Sequence, residues 1–558
     1  MSTTFVSRYL TTSTYYQYLL ATGIAIWATG VAYFVYKGYH ARKPFGKLYS
    51  AGMPMPEWHP ILGHLMCLPP ILKTLPGNTQ QPEAFTKLAD RFDNSDGAFY
   101  LDLWPFGNPL LVITSPPLAI QSCQQHDLVK PHVLKPFFEP LAGGDNLFTM
   151  NGSEWRRSRA LFNPGFSANY ILGQMSHIVK ETLVYVEILR EHARGEKLFS
   201  LDEITLWFTL DIIGVVTLNS RLQSQRQYNP LASAMRSQVS WHCFDDELNP
   251  FIRWNPMRPI VQWRNSRTMD TYISAELEKR YAEFLNGPGL GSPFVKNASR
   301  SVIDLAIEGY MSQQQNNPPK TLSPEFKRWA QTQIRLFLFA GHDSTSSTIC
   351  YSFYLLSKHP DAMEKLRAEH DHVFGKDITK TADILLEQPN LINQLPYTLA
   401  VIKEALRLFP AASAMRGGRS DVELYHEDIK LPTEGMNIWI LHNAVQRNTK
   451  YWKRADEFLP ERWLVDAEDP LYPPKGGFRV FEHGPRNCIG QTLVYLDIKV
   501  VLALTVREFD IRDAYKEWDR LHPSEHIKTV NGERAYQISQ GGAHPADGFP
   551  CRVRFRGE

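Results

Sequence analysis

The segment Phe481-Glu482-His483-Gly484-Pro485-Arg486-Asn487-Cys488-Ile489-Gly490 constrains this chain more than any other. One cysteine stands in a glycine-bounded turn, with an arginine two residues before it and an aromatic ring upstream. A helix-compatible stretch, Gln491 to Leu502, follows. Gly484 and Gly490 admit backbone angles that a side chain forbids, so such a loop can approach a flat macrocycle closely. Peptide N–H groups of the turn are placed to donate to the sulfur. A thiolate there suits one face of a heme iron, onto which it pushes electron density in favour of O–O cleavage. Arg486 suits a heme carboxylate, because a guanidinium fork matches that geometry. A buried structural cysteine on a turn is the competing reading of the same residues.

The 558 residues allow one very large domain or several smaller ones. No repeat or composition break asks for a second globular domain. Hydrophobic residues at 43% and charged residues at 21% are ordinary for a globular chain. A net charge of +2 gives no reason to expect a nucleic-acid partner. Six cysteines (Cys67, Cys123, Cys243, Cys350, Cys488 and Cys551) are scattered without a framework, as in a reduced cytosolic protein. No CxxC or Cys/His cluster suggests zinc.

From Tyr15 to Tyr36 the chain carries no charge and is mostly apolar. As a helix, this stretch would span roughly 33 Å, about a bilayer core. Lys37, His40, Arg42, Lys43 and Lys47 follow it, and only Arg8 precedes it, an asymmetry that leaves the C-terminal bulk in the cytosol. A cleaved signal peptide is the other reading, but the apolar stretch is longer than a typical signal core and the basic run resembles a stop signal. The expected organisation is a short segment 1–14, a transmembrane anchor 15–36, a basic and proline-rich hinge 37–64, and one domain over 65–558. Pro54, Pro56 and Pro60 stiffen the hinge and stop the membrane helix.

Along that domain, Pro54 to about Val129 mixes short apolar runs with Gly and Pro turns, which predicts a small sheet. Helical character begins near Glu154, returns over Arg300–Tyr310, and is longest over Ser323–Leu356, where a capping serine precedes a proline at the first turn. Gln313 to Lys320 reads as an exposed loop. Strands and turns return after Leu424 and again over Asp510–Phe555.

Three further groups of residues carry chemistry. Phe339-Ala340-Gly341-His342-Asp343-Ser344-Thr345 lies inside the long helical pattern. A mid-helix glycine costs about 1 kcal/mol against alanine and calls for a reason. Small Ala340 and Gly341 would admit a diatomic ligand and a macrocycle, and an acid followed by hydroxyls makes a short proton relay; a polar exposed face is the alternative. Glu404 and Arg407 sit at i,i+3 on a helix over Thr398–Phe409, either an ordinary surface pair or part of a network with Arg462 in Pro460-Glu461-Arg462-Trp463. Trp155 and Arg159 are i,i+4 neighbours, so an indole N–H and a guanidinium share one face; a basic solvent-facing helix is the bland reading. Asn151 and Asn297 open glycosylation sequons, which a cytosolic body leaves unused.

Taken in order, these motifs resemble the cytochrome P-450 family over about residues 50–558. Phe-x-x-Gly-x-Arg-x-Cys-x-Gly looks like its heme-binding signature, and the Ala340–Thr345 segment like its oxygen-activation motif, with Ser344 where threonine is usual. Glu404-x-x-Arg407 and Pro460–Trp463 look like its structural Glu-x-x-Arg and Pro-Glu-Arg-Phe elements, with Trp463 for phenylalanine and Gln446 for histidine. The resemblance implies a mainly α fold with a smaller β region, the single-domain heme-thiolate fold, preceded by an N-terminal transmembrane helix. It implies heme b (iron) with an axial thiolate from Cys488, proton transfer through Asp343 and Ser344 or Thr345, and heme contacts from Trp155, Arg159, Ala340, Gly341, Arg416, Phe481, Arg486 and Gly490.

The activity implied is a monooxygenase inserting one atom of O2 into a lipophilic small-molecule substrate, a secondary metabolite such as a polyketide, as in fungal microsomal members. Its pocket is expected within about His126–Phe148, around Phe339, in Ala411–Ala414 and near Gln537–Ala543. Histidines such as His126, His132, His242 and His483 are expected to be structural. Electrons would come from a separate NADPH-cytochrome P-450 reductase, with cytochrome b5 as a further donor, docked with help from Lys475, Arg479 and Arg486. The expected location is the endoplasmic reticulum membrane, single-pass, with the catalytic domain in the cytosol. The rivals are a non-oxygenase rearrangement, desaturation or dehydration on the same fold, and a non-enzymatic membrane heme protein.

Overall fold

The computed structural model describes residues 3–91, 97–243, 255–286, 301–313 and 319–557. Helices dominate and strands form a smaller part, as the resemblance implies. The axis of the fold is the Pro324–Lys358 helix, hereafter the central helix. Ser323 starts it as expected: its Oγ accepts the Phe326 N–H at 3.2 Å, and Pro324 fills the first turn. Almost every residue from Thr332 to Leu356 is buried, because the helix is wrapped on all sides. The Leu201–Leu218 helix runs along it. Ile213 lies 2.5 Å from where a side chain at Gly341 would begin, so the mid-helix glycine has a packing reason: it lets two helices approach.

Strands Ala98–Leu101, Leu110–Ile113, Asn437–Ile440 and Ala414–Gly417 form the largest sheet, in that spatial order. The first two strands are buried at every position, so they read as continuous apolar runs rather than alternating ones. A C-terminal hairpin, Gln537–Gln540 paired with Gly542–Pro545, packs on the central helix.

The N-terminal helix spans Thr3–Ser50, and among the described residues it is long and apolar enough to cross a bilayer. It runs past the expected anchor 15–36 through the basic run, with Pro44 inside it, and ends at Ser50, just before the prolines expected to stop it. The segment expected as a hinge is instead docked. Gly38 packs on the Trp104 ring, Phe45 is fully buried, and Arg42 is buried against Asp102 at 2.7 Å. Arg42 is therefore an internal ion pair rather than one of the membrane-flanking cations.

A buried charge network sits behind the cysteine loop. Glu404, Arg407 and Arg462 are all inaccessible to solvent. Arg407 holds Glu404 with two bonds of 2.9 and 2.8 Å, and Arg462 Nε donates to Glu404 Oε1 at 2.9 Å. Trp463 Nε1 adds a donor to Glu404 Oε2 at 3.0 Å, which phenylalanine could not supply. Gln446 Nε2 donates to the Leu406 and Arg407 carbonyls. The carboxylate is satisfied on both oxygens, the condition under which a buried ion network is tolerated.

Candidate active site

The cysteine loop is closed by its own backbone: the Cys488 N–H donates to the Phe481 carbonyl at 2.8 Å, and the Asn487 N–H to Gly484 at 3.1 Å. Gly484 has φ +82°, and a Cβ there would lie 2.4 Å from the Cys123 carbonyl oxygen, so only glycine fits. Gly490 departs from expectation: its φ of −86° is open to any residue. What it contributes is its position at the start of the Gln491–Thr505 helix, where its N–H and that of Gln491 serve the sulfur. Cys488 is exposed on one side; crowding by the loop raises its thiol, against the Gly490 N–H, the Arg159 charge and the Gln491 N–H, which pull it down. A metal cation at the sulfur would complete the shift to thiolate. The Phe481 ring packs edge-on to Tyr495, 5.2 Å away, and so shapes the loop from within.

The residues expected at the heme carboxylates divide. Trp155 is buried, with the Arg486 guanidinium stacked 4.0 Å over its ring. Arg486 also donates to the Met150 carbonyl at 2.7 Å and to Asn151 Oδ1 at 2.8 Å, which engages the side chain of the first sequon; Asn297 lies outside the described residues. Arg159 turns elsewhere: it donates to Asn163 Oδ1 and to the Asn487 carbonyl and side chain, so it braces the cysteine loop from the residue before Cys488. Arg416 is buried and reaches Glu482 Oε2 at 3.1 Å.

Lys130 escaped the sequence reading. It is buried, with its ammonium 4.0 Å over the Phe148 ring. Burial first, then Arg416, holds its pKa well below the ordinary lysine range. Burial, then Arg416, likewise pushes Arg486 down to about 10. Lys130, Arg416 and Arg486 thus crowd one region in which Glu482 and, beside Arg486, Asp127 are the acids, and a group bearing carboxylates fits the remaining surplus of cations. No motif marks a lysine in a loop, so only the fold reveals it.

Arg479, expected to help a reductase dock, is fully buried and bonded to Glu482 at 2.9 Å, and Arg486 is turned inward. Neither is an exposed docking charge, whereas Lys475 is exposed.

On the central helix, Ala340 and Ser344 share a face by their i,i+4 spacing, and Ser344 Oγ donates to the Ala340 carbonyl at 3.1 Å. Ala340 is exposed and Ser344 half-buried, between turns that are otherwise buried, so this face is the open part of the central helix here. Thr345 is buried. Asp343 is buried and clamped by the C-terminal hairpin: Oδ2 accepts the Gly542 N–H, and Oδ1 faces His544 Nε2 at 3.4 Å. Asp343 also borders a chamber of about 770 Å³ whose lining includes Arg236, His342 and Gln540 and runs out to the exposed Leu72. Of the expected pocket segments, the turn near Gln537–Ala543 and the helix turn just after Phe339 border it. His544 is a second residue the sequence did not flag, since nothing local links it to Asp343, 201 positions earlier.

Comparison with known proteins agrees with this geometry. The family described as Cytochrome P450 matches residues 53–539. The chain is 42% identical over 532 residues to cytochrome P450 monooxygenase polC of Polytolypa hystricis, covering 94% of each. It is 32% identical over 497 residues to cytochrome P450 monooxygenase acrF of Aspergillus aculeatus, covering 85% of this chain and 97% of that one. Among solved structures, a cytochrome P450DA heme domain aligns with a TM-score of 0.67 at 21% identity, over 90% of this chain and 96% of that one, a likeness of fold. This chain belongs to the cytochrome P450 family of oxidoreductases, which use heme b with a cysteine thiolate as axial ligand.

Proposed function

We propose that this chain is a membrane-anchored monooxygenase that inserts one atom of O2 into a lipophilic organic substrate, a secondary metabolite such as a polyketide. The observation that carries the reading is the setting of Cys488, whose sulfur meets the Gly490 and Gln491 N–H groups on a loop that only glycine at position 484 allows to close. Heme b held there by Cys488 supplies the redox chemistry. The chain's own residues do the rest. Lys130, Arg416 and Arg486 offer cations to the heme carboxylates, and Trp155 seats the Arg486 guanidinium. Ala340 leaves room on the distal side. Asp343 takes protons from the chamber and passes them to Ser344, which is favoured over buried Thr345 because it shares the open face with Ala340.

Residues 65–558 act as one catalytic domain, with the apolar part of the Thr3–Ser50 helix in the endoplasmic reticulum membrane and the body in the cytosol. Lys37, Lys43 and Lys47 support that orientation. Electrons come from NADPH-cytochrome P-450 reductase, with cytochrome b5 as a second donor and Lys475 as a docking charge.

The test is the carbon-monoxide difference spectrum of dithionite-reduced membranes containing the full chain, beside Cys488→Ala. The expected result is a strongly red-shifted Soret band that the variant lacks. A band typical of histidine ligation, or one that survives in Cys488→Ala, would overturn the assignment of Cys488.

A further inference from the structure

His544, on the Gly542–Pro545 strand, is fully buried with a carboxylate at each ring nitrogen. Its Nδ1 lies 2.9 and 3.0 Å from the two oxygens of Asp202, and its Nε2 lies 3.4 Å from Asp343 Oδ1. Nε2 and Oδ1 face each other as an ion pair rather than a hydrogen bond, and neither atom hydrogen-bonds to a described group. Asp202, at the start of the Leu201–Leu218 helix, is fixed further by Ser346 Oγ at 2.9 Å. The second oxygen of Asp343 accepts the Gly542 N–H. Gly541, with φ +107°, completes the clamp: a Cβ there would fall 2.0 Å from Asp343 Oδ1.

The charged and titratable groups around this ring are Asp202 from one helix, Asp343 and His342 from the central helix, and Arg236 from the Pro230–Ser240 helix. Two buried carboxylates sharing a site repel, and one cation between them relieves both. Burial opposes the charged ring, but Asp202 and then Asp343 lift it to about 10. Burial likewise opposes the Asp202 carboxylate, yet His544 and Ser346 hold it below its ordinary range. The array is a chain of alternating charge from Asp202 through His544 to Asp343, ending at the chamber wall.

We propose that His544 is a positioning residue for oxygen protonation: anchored on Asp202, it holds the Asp343 carboxylate against the C-terminal hairpin, in the orientation that receives a proton from the chamber and passes it to Ser344. The proposal rests on the relay reading of Asp343. The proton moves from chamber water to an Asp343 oxygen and from there to the hydroxyl, while His544 keeps its own protons throughout. Without the imidazole, the Asp343 side chain is free to rotate and its oxygen loses a fixed address. A displacement of about 1 Å in such a group is enough to cost up to two orders of magnitude in a proton-transfer step.

The experiment compares wild type, His544→Gln and Asp343→Asn, each as the full chain in membranes with an NADPH-dependent P450 reductase. His544→Gln should keep its carbon-monoxide band, while the hydrogen peroxide released per NADPH rises severalfold. Conversion of cumene hydroperoxide to cumyl alcohol, in which the peroxide brings its own proton and added guaiacol is oxidised as the electron donor, should stay within about twofold of wild type. A second readout needs no turnover. Because the folded pKa of His544 stands above its unfolded value, its stability contribution is complete below about 6.5 and is lost as pH rises through about 10. The thermal midpoint of wild type should fall over that window, and that of His544→Gln should fall less. Asp202→Asn removes one of the two carboxylates that lift the ring, so the fall in that variant should be smaller and end at lower pH than in wild type. If Asp343→Asn raises peroxide release and His544→Gln does not, His544 has no positioning role and the relay stands. If Asp343→Asn changes nothing, the relay reading fails and takes this proposal with it. Equal loss of NADPH-driven and hydroperoxide-driven turnover in His544→Gln would reduce its role to packing.

Discussion

Arg42 of the N-terminal helix and Asp102, which follows the first strand of the main sheet, form a buried ion pair at 2.7 Å that joins that helix to the body of the protein. The guanidinium also donates to the Ile61 and Trp104 carbonyls at 2.8 and 3.0 Å, and Trp58 Nε1 donates to the same carboxylate at 3.0 Å. Arg42→Ala strands a buried carboxylate and should destabilise this junction by about 3–5 kcal/mol. Arg42→Lys should rescue little, because one compact ammonium cannot span the three separate acceptors that the Nε and both terminal nitrogens of the guanidinium reach. Limited proteolysis of the membrane-bound protein reads the effect: new cleavage between residues 51 and 63 is expected in both variants, and a wild-type digestion pattern in Arg42→Ala would refute the docked helix.

Trp463 tests whether a departure from the family's wording is tuned to this chain. Its indole donates to Glu404, whose other contacts come from Arg407, Arg462 and the Leu459 N–H. Trp463→Phe restores the common residue yet removes one bond to a buried charge, worth about 1.5–3 kcal/mol. Glu404→Ala leaves two buried guanidinium groups uncompensated and should cost about 3–5 kcal/mol, enough to abolish recovery of folded protein. Thermal denaturation of the heme-loaded forms should rank wild type above Trp463→Phe, with Glu404→Ala below both. A Trp463→Phe variant more stable than wild type would mean that packing of the ring outweighs its N–H.

The sequence was most legible where a motif is local. The cysteine turn, the helix that follows it and the Ser323-Pro324 helix start are each written within a dozen residues, and each forms as its spacing predicts. Three kinds of feature were not legible. Gly341 looked like room for a ligand, but its Cβ direction is filled by Ile213, a residue 128 positions away that no local pattern names. The basic run reads as cations flanking an apolar span, but Arg42 within it is buried against Asp102, a partner 60 positions away that no local pattern names. Lys130 and His544 belong to no motif; each matters through what the fold brings beside it. Arg159 has a role that its motif does not announce: it braces the Asn487 carbonyl next to Cys488 while its charge also acts on Arg486.

Lys130 makes a direct prediction about cofactor retention. A buried ammonium among Arg416 and Arg486 is held against its preference unless an anion is near. Lys130→Met keeps the contact with Phe148 and removes the charge. Transfer of heme from the variant to an excess of apomyoglobin should be about tenfold faster than from wild type, equivalent to about 1.4 kcal/mol of lost anchoring. The protein stripped of heme should be no less stable, and even slightly more so, because one of the crowded cations is gone. Unchanged heme transfer would remove Lys130 from the cofactor site.

Glu482 gives the acid side of the same balance. It has φ +56°, a backbone conformation that costs a non-glycine residue about 1 kcal/mol or more, so its side chain must repay the strain. Its partners do so. Arg479 donates to Oε1 at 2.9 Å, with His442 Nε2 at 3.2 Å from the same oxygen, and Arg416 and the Cys123 thiol reach Oε2 at 3.1 and 2.7 Å. Burial raises the proton affinity of this carboxyl, but His442, Arg479 and Arg416 together hold it far below the ordinary glutamate range. A depressed pKa means that the stabilisation is present above about pH 4.5 and is lost as pH falls below it. Glu482→Gln should therefore be less stable than wild type by about 3–5 kcal/mol at pH 7, since buried Arg416 and Arg479 lose their acid. The same variant should lose less further stability than wild type between pH 5 and the acid unfolding point, because the group that titrates there is gone. Parallel acid limbs in the two proteins, measured by tryptophan fluorescence at fixed temperature, would show that another carboxyl sets the acid sensitivity of the cysteine loop.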